Sequence, residues 1–412
     1  MSIKVRPHPL CFLLLLTCAF LLARSVIAQD VGGDMGGGAG IFKPKNPETK
    51  KSTTKVPKPI TKPSRTPTKK PAPNADLENR VEELLDKGND ARDARKYTEA
   101  QDAYESVLKL KARDPRAAYG LGNVYTDQRR WDTAEKAYRN AVEWSPSNVD
   151  ALVALSVVLV QPRTGGDNAR RFADAQSFAQ RAVQLDPKNA VAWDRLGVAM
   201  QSRGLFNNDT EHSYRRAVDL DPQFAVAYAH LARVLKRLGR GSEAAPLYDR
   251  ASQLAKDPAT LVLIADSLQA EQQWDNSEPV LRRALDLDAR NPSALFLMGR
   301  MLVVLKRYRE AESPLKTAVE VSPQSFQSYN LLGRTYLALE RFDDAEKTYN
   351  SAVDLASPAD RKQLAGAFGF EGVGDGYMKA KRRSEATRAY QRALDLDPGN
   401  QQLEKKLSKA RG

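Results

Sequence analysis

Apolar and small residues recur along most of the chain at spacings typical of paired amphipathic helices. In the stretch 131–146, "WDTAEKAYRNAVEWSP", Ala134, Tyr138 and Ala141 follow one another at intervals of four and three residues. This spacing places the three side chains on one face of a helix. Residues 384–398, "SEATRAYQRALDLDP", repeat the same spacing. The pattern predicts helices that each bury one face against a neighbour.

A register of small residues extends through the chain. Its members are Ala100, Ala134, Ala175, Thr210, Ala244, Ser277, Ala311, Ala345 and Ala386, separated by 34, 41, 35, 34, 33, 34, 34 and 41 residues. In most units a small residue stands about twelve positions earlier, a large residue four positions later, and a proline near the end of the unit. These positions include Gly88, Gly122, Gly197, Gly299, Gly333, Gly374, Tyr138, Tyr214, Tyr248, Tyr349, Tyr390, Pro146 and Pro398.

Each unit of this register is predicted to be a helix hairpin. When the register residue is numbered position 20, the small residue at position 8 lies on a first helix and the large residue at position 24 on a second. Small residues allow the two helix backbones to approach closely, and the large side chain fills the space beside them. Proline ends the second helix and favours the start of the next. One hairpin cannot bury its own apolar face, so consecutive hairpins are expected to stack.

The repeated unit resembles the tetratricopeptide repeat, which has a period of 34 residues and this order of small, aromatic and proline positions. Residues 118–146, "AYGLGNVYTDQRRWDTAEKAYRNAVEWSP", carry the resemblance almost throughout. It implies an all-α, right-handed superhelical solenoid of about nine repeats over 77–400, closed by a capping helix over 401–412. The expected repeats are 81–114, 115–148, 149–189, 190–224, 225–257, 258–291, 292–325, 326–359 and 360–400.

The residues before the array are expected to serve export and spacing. Residues 1–28 combine two early basic residues, an apolar run and small residues before Ala28, which is typical of a cleaved secretory signal. The 13-residue run is short for a membrane anchor, and the residues around Cys18 do not suit a lipoprotein signal. Residues 29–76 are Gly-rich and then Lys/Pro-rich, which predicts a disordered linker. This linker is interpreted as a spacer, or alternatively as a cationic tether to an anionic envelope surface.

Charge and composition give no sign of catalytic chemistry. The net charge of +13 lies mainly before residue 76, because residues 76–412 carry 51 basic and 48 acidic side chains. Nucleic acid is therefore not an expected partner. Both cysteines lie within 1–28, and the three histidines show no metal-binding spacing. We expect no enzyme activity, no cofactor and no metal site.

The resemblance also implies where a ligand would bind. Tetratricopeptide arrays hold extended peptides along a concave groove, which positions 2, 5, 9, 12 and 13 of each repeat would face. Asn89 and Asn123 occupy position 9 of the first two repeats, like the asparagine pair of the carboxylate clamp in chaperone-binding members. The basic residues of that clamp would fall near Leu85, Asp150 and Ala154, and none of these is basic. A carboxylate clamp is therefore not expected.

A set of mostly basic residues is the candidate binding site. An acidic peptide or a carboxylate would suit it, because guanidinium groups pair well with carboxylates. The alternative is that these side chains only solvate their helices. The set comprises Arg233, Lys236, Arg237, Arg300, Asn330 and Arg334.

Two units contain seven extra residues. In the third, "QPRTGGD" at 161–167 predicts a loop. Before the last, Ser357 and Pro358 predict a helix start, and the insertion is expected to prolong that helix by two turns. Five glycines between 366 and 376 should weaken this helix by about 5 kcal/mol unless a neighbour packs closely against them.

The sequence thus predicts an exported, non-enzymatic scaffold that binds protein or peptide partners, most simply in a bacterial periplasm or cell envelope, with an extracellular location as the other possibility. Two alternatives remain open: an accessory subunit of an envelope polysaccharide or outer-membrane assembly machine, and a polyanion-binding envelope protein acting through its basic linker.

Overall fold

The computed structural model describes residues 44–49, 73–161, 163 and 167–412, in which every regular element is a helix. The predicted signal at 1–28 lies outside these residues. The helices are α1 (Pro73–Asp93), α2 (Tyr97–Leu110), α3 (Pro115–Asp127), α4 (Trp131–Trp144), α5 (Val149–Leu159), α6 (Asn168–Leu185), α7 (Ala190–Ser202), α8 (Asn208–Leu220), α9 (Ala225–Arg237), α10 (Gly241–Leu254), α11 (Pro258–Ala270), α12 (Trp274–Leu287), α13 (Pro292–Val304), α14 (Tyr308–Val321), α15 (Phe326–Ala338), α16 (Phe342–Val353), α17 (Pro358–Ala365), α18 (Phe370–Lys379), α19 (Arg383–Leu396) and α20 (Gln401–Arg411).

The helices belong to two compact units. The sequence boundary between these units lies between Ala245 and Pro246, within α10. In unit 1, α1 packs on α2, α3 on α4, α5 on α6 and α7 on α8, and successive hairpins pack on one another. In unit 2, the same pairing joins α11 to α12, α13 to α14, α15 to α16 and α18 to α19. The all-α solenoid of helix hairpins is therefore confirmed.

The first and second helices of a repeat begin differently. Most first helices begin after an Asn, Asp or Ser whose side chain accepts a backbone N–H of the first turn; these residues are Asp114, Asn148, Asn189, Asp257, Asn291 and Ser325. Most second helices follow a turn residue in the left-handed region, such as Arg129 with φ of 56°, whereas α6 and α8 are capped by Asp167 and Asn207. The cap and the turn together set where each helix begins.

A tyrosine or leucine at position 24 fills the space beside position 8. A Cβ atom on Gly88 would fall 2.6 Å from the Tyr104 ring, and one on Gly374 would fall 2.5 Å from the Tyr390 ring. Gly122 has the same relation to Tyr138, whose side chain is fully buried. Only glycine leaves room for the ring at these positions, because an added methyl would overlap ring atoms.

The second insertion does not prolong a helix as the sequence analysis expected. It forms a separate short helix, α17, which begins with a capping box between Ser357 and Asp360 and packs on α19. The chain then turns through 366–369 before α18 begins. Gly366 adopts an extended conformation that stops the helical hydrogen-bond pattern. The expected close packing is present beyond this turn, because a Cβ atom on Gly376 would overlap the ring of Phe342.

Both ends of the array carry further structure. At the C-terminus, α20 buries Leu403, Leu407 and Ala410 against the last hairpin and exposes its charged side chains, as expected for a capping helix. At the N-terminus, α1 begins at Pro73, four residues inside the segment expected to be a disordered linker. Residues 44–49 of that segment also depart from the expectation, because they lie in unit 1 and are hydrogen-bonded to α1 and α3.

Candidate peptide-binding site

The predicted basic residues of unit 1 lie on α9. Arg233 and Lys236 are partly buried, and Arg237 is exposed, with its guanidinium 5.4 Å from the ring centre of Phe206. A guanidinium at this distance from an aromatic ring is held by a cation–π interaction. The three side chains share one helix and present positive charge there.

The predicted residues of unit 2 have different surroundings. Arg300 donates from Nη2 to Asp266 Oδ1 at 2.6 Å and from Nε to Gln269 Oε1 at 2.8 Å, and its side chain is 12% exposed. Asn330 is buried. Arg334 lies 5.0 Å from the ring centre of Phe368, which is 67% exposed. Arg300 is thus engaged within the fold, whereas Arg334 lies beside an exposed aromatic ring that the sequence analysis did not select.

Unit 1 holds an extended segment of its own chain, residues 44–49, across α1 and α3. Three main-chain carbonyl oxygens of this segment accept side-chain hydrogen bonds of 3.0 Å or less, and a fourth, that of Glu48, accepts one from Arg116 Nη1 at 3.4 Å. Asn123 Nδ2 donates to the Lys45 carbonyl at 2.8 Å, and Asn89 Nδ2 donates to the Pro47 carbonyl at 3.0 Å. Arg92 Nη1 donates to the carbonyl of residue 44 at 2.8 Å. These positions, 9, 9 and 12 of their repeats, are groove positions according to the resemblance.

Tyrosine hydroxyls hold both asparagine side chains in the orientation that this contact requires. Tyr104 Oη donates to Asn89 Oδ1 at 2.7 Å, and Tyr138 Oη donates to Asn123 Oδ1 at 2.9 Å. Because each carboxamide oxygen already accepts a hydrogen bond, each Nδ2 is directed towards the segment. Asn123 is also fully buried, so its amide has little freedom to turn. We call each such pair a tyrosine–position 9 pair.

The last repeat contains a related pair with different chemistry. Tyr390 Oη donates to Asp375 Oδ1 at 2.6 Å, and Asp375 stands at position 9. Lys406 of α20 donates to Asp375 Oδ2 at 2.6 Å. The tyrosine at position 24 therefore orients a hydrogen-bond acceptor in the last repeat and a hydrogen-bond donor in each of the first two repeats.

Arg92 connects the segment to the second repeat. Its Nε donates to Asp127 Oδ2 at 2.7 Å and its Nη2 to Asp127 Oδ1 at 3.2 Å, and its side chain is 7% exposed. Burial lowers the pKa of the Arg92 guanidinium, but the hydrogen bond and charge of Asp127 outweigh this and raise the pKa overall. Arg92 is therefore a fixed cation, and its remaining N–H groups face the segment.

Side chains of the segment also contact unit 1. Asn46 accepts from Arg92 Nη1 at 3.0 Å and donates from Nδ2 to Asp93 Oδ2 at 2.9 Å. Thr49 Oγ1 donates to Asp86 Oδ1 at 2.6 Å. Residues later in the segment contact residues earlier in α1, so the segment runs antiparallel to this helix.

The sequence analysis identified Asn89 and Asn123 as groove residues but did not select them as site residues. It did not consider Arg92. A usable signal was present: an asparagine at position 9 in two successive repeats, each with a tyrosine fifteen residues later. The chosen basic set instead followed charge, which does not distinguish an available arginine from one already paired, such as Arg300.

The chemistry of this site is that of binding. Its groups are amide and guanidinium donors directed at carbonyl oxygens, with carboxylates at the edge. Among the described residues, no three His, Cys, Asp or Glu side chains are grouped as a metal ion would require. Within the same residues, no helix has both the length and the apolar run needed to cross a bilayer.

Comparisons with known proteins agree with this architecture. A family profile described as tetratricopeptide repeat matches residues 85–149, and one described as anaphase-promoting complex, cyclosome, subunit 3 matches 237–318 and 270–352. Cellulose synthase operon protein C of Pseudomonas fluorescens is 26% identical over 48% of this chain, and that of Xanthomonas axonopodis pv. citri is 31% identical over 44%. The chain spans only 16% and 12% of the lengths of these relatives.

Among solved structures, yeast Tom70 resembles the fold, with a TM-score of 0.55 over 94% of this chain and 75% of its own, at 16% sequence identity. At this identity the likeness concerns the fold alone. The stacked helix hairpins, the 34-residue register and the family profiles therefore identify the chain as a tetratricopeptide-repeat protein.

Proposed function

We propose that this chain is a non-enzymatic interaction scaffold, and that the groove of α1 and α3 binds extended peptide segments of its partners. The observation that carries the proposal is the seating of residues 44–49 by their main-chain carbonyls on Asn89, Arg92 and Asn123. Contacts to main-chain atoms can be made by any extended peptide, and side-chain contacts then select among peptides.

The side chains of the site are oriented by hydrogen bonds to other residues of the fold. Tyr104 and Tyr138 hold the two carboxamides, and Asp127 holds Arg92, so little side-chain freedom is lost when a peptide binds. Each hydrogen bond contributes about 0.5–1.5 kcal/mol net. Three such bonds suit reversible capture of a segment better than permanent assembly.

Peptide binding by the full chain tests this proposal. Residues 44–49 are replaced by six Gly and Ser residues to open the groove, and the protein is screened against an array of ten-residue peptides. We expect bound peptides to be lost in the double variant Asn89→Ala/Asn123→Ala and retained in the control Asp375→Ala, which also changes a position 9 side chain but lies in the last repeat, in unit 2. Circular dichroism verifies that the variants are folded. Retention of every peptide by the double variant would show that this groove is not the site.

The predicted basic residues form a second part of the proposal. Arg233, Lys236 and Arg237 in unit 1, and Arg334 with Asn330 in unit 2, are proposed to contact acidic side chains of partners. Their partial exposure and their aromatic neighbours support this role for Arg237 and Arg334. We expect Arg334→Glu to weaken the binding of acidic peptides by unit 2. Unchanged binding of such peptides would exclude Arg334.

We further propose that the protein acts outside the cytoplasm, as an accessory subunit of an envelope polysaccharide or outer-membrane assembly machine. The similarity to cellulose synthase operon protein C from two bacteria supports this role. Crosslinked affinity purification from the envelope should recover transferases or export proteins, and recovery of neither would contradict it. N-terminal sequencing of the exported protein should begin at Gln29 if the signal is cleaved.

The basic linker supports the polyanion-binding alternative through its charge alone, since residues 29–75 carry ten Lys and Arg. Co-sedimentation with anionic envelope material should then be lost when 29–75 is deleted, and should weaken as salt rises. Co-sedimentation that survives the deletion would exclude this role.

A further inference from the structure

The burial of residues 44–49 repeats every three residues. Residues 44 and 47 are buried, 45 and 48 are exposed, and 46 and 49 are partly buried. A polyproline II helix has three residues per turn, whereas a β-strand alternates every two residues. The segment therefore presents one face to unit 1 in the manner of a polyproline II helix.

The sequence places proline at both buried positions. Among the 23 prolines of the chain, Pro44 and Pro47 are the only two that are three residues apart. The later prolines of the linker, at 57, 59, 63, 67 and 71, are two or four residues apart, so neighbouring prolines there do not lie on one face of a polyproline II helix. The segment seated in the groove is thus the one part of the chain in which prolines occupy the same face in two consecutive turns of this conformation.

The residue between the two prolines is also selected by its chemistry. Asn46 offers an acceptor to Arg92 and a donor to Asp93 at the same time, at 3.0 and 2.9 Å. An aspartate would place a second carboxylate beside Asp93, and an alanine would make neither hydrogen bond. The hydroxyl of Thr49 donates to Asp86, so this position of the segment requires a side chain with a hydrogen-bond donor.

We propose that the groove of α1 and α3 is a recognition site for polyproline II peptides of the pattern Pro-x-Asn-Pro, and that residues 44–49 are a tethered copy of this ligand. A partner segment of the same pattern binds by displacing the tethered copy. This proposal rests on the proposed function. It adds the class of ligand and the way in which the tethered copy regulates ligand binding.

The chain has enough length to hold the copy in cis. Residues 50–72 connect the segment to α1, and 23 residues can extend to at most about 75 Å. From Pro73 to Asp86, which contacts Thr49, α1 rises only about 20 Å. A connection of this length gives an effective concentration on the order of 1 mM. For a free peptide whose Kd is about a tenth of that value, the tethered copy would raise the apparent Kd about tenfold.

Fluorescence anisotropy with a labelled peptide of residues 41–50, IFKPKNPETK, tests the proposal on the full chain. The open form carries six Gly and Ser residues in place of 44–49, and a second open form carries Asn46→Ala with Pro47→Ala. We expect both open forms to bind the peptide about tenfold more tightly than the unaltered chain. Equal affinity of all three proteins for the peptide would overturn the proposal that residues 44–49 act as a tethered copy of the ligand.

A matched peptide tests the ligand class. Exchange of Pro47 and Glu48 in the peptide keeps its composition and charge but separates the prolines by four residues. We expect this peptide to bind the open forms at least tenfold more weakly, and a peptide with Asn46→Ala to lose a similar factor. Equal binding of the exchanged peptide would overturn the polyproline II pattern.

The two proposals fail in different ways. If array peptides without this pattern bind in an Asn89- and Asn123-dependent manner, while the peptide of residues 41–50 does not, the ligand class is wrong and the proposed function stands. If no peptide depends on the two asparagines, the proposed function fails as well. A dimer that forms only when residues 44–49 are present would show exchange between copies and would overturn the arrangement in cis.

Discussion

Replacement of Tyr138 by phenylalanine separates the packing role of this side chain from its orienting role. The ring remains, so the contact with Gly122 is kept, but Asn123 Oδ1 loses the donor at 2.9 Å and Thr126 loses a partner at 3.1 Å. Because Asn123 is fully buried, its carbonyl oxygen cannot turn to water instead. We expect Tyr138→Phe to lower the free energy of unfolding by about 1–3 kcal/mol.

The same variant should weaken peptide binding, because the Asn123 carboxamide is no longer held with its Nδ2 towards the Lys45 carbonyl. Loss of one hydrogen bond, about 0.5–1.5 kcal/mol, corresponds to a factor of about 2–13 in Kd. The matched control is Tyr214→Phe, which removes a hydroxyl that donates to Gln201 Oε1 at 2.9 Å, away from the segment.

Urea unfolding followed by circular dichroism measures the stability of both variants, and anisotropy with the open form measures their peptide affinity. We expect similar losses of stability but a loss of affinity only in Tyr138→Phe. Equal losses of affinity in both variants would show a general softening of unit 1. Unchanged affinity in both would refute the orienting role of the Tyr138 hydroxyl.

Three further variants test other parts of the structure. Gly122→Ala should destabilise unit 1 by about 1–3 kcal/mol in urea unfolding, although alanine favours helices, because its Cβ would overlap the Tyr138 ring; a neutral result would contradict this packing. Arg116 holds the pKa of the buried Asp114 below its usual value, despite the raising effect of burial, so this carboxylate stabilises the fold above about pH 4 and less as pH falls through the lowered pKa. Asp114→Asn should therefore give a flatter dependence of unfolding free energy on pH below 4, and parallel curves would contradict the assignment. Arg300→Glu should cost unit 2 about 3–5 kcal/mol by facing buried Asp266 with a second carboxylate, and an unchanged urea midpoint would show that the pair has no structural role.

The hairpin architecture could be predicted because it depends on residue size at fixed spacing. Ala134 and Tyr138 belong to a register that recurs through the chain. Each recurrence leaves fewer alternative structures that are consistent with the sequence of the next unit. The site was harder to predict because it depends on which groups are paired. Arg300 and Arg334 look alike in the sequence, but Arg300 is bound to Asp266 while Arg334 lies beside Phe368.

Two departures from the sequence analysis have physical causes that composition conceals. The Lys/Pro-rich segment lacks apolar residues for a core of its own, which disfavours a separate domain. It does not disfavour docking of Pro44 and Pro47 on a surface that already exists. The glycines between 366 and 376 are compatible with either a weak helix or a break, and the extended conformation of Gly366 decides for a break.

The tyrosine–position 9 pairs separate what a repeat recognises from what keeps it folded. Tyr138 and Tyr390 fill equivalent core positions, yet one orients an amide and the other a carboxylate. A single substitution at position 9 can therefore exchange a hydrogen-bond donor for an acceptor while the core is unchanged. Where position 9 is exposed, as at Asp375, such an array can acquire a new partner during evolution with little loss of stability. For engineering, Asp375 is the position at which binding preference can be rewritten with the least effect on the scaffold, because it is exposed, whereas Asn123 is fully buried.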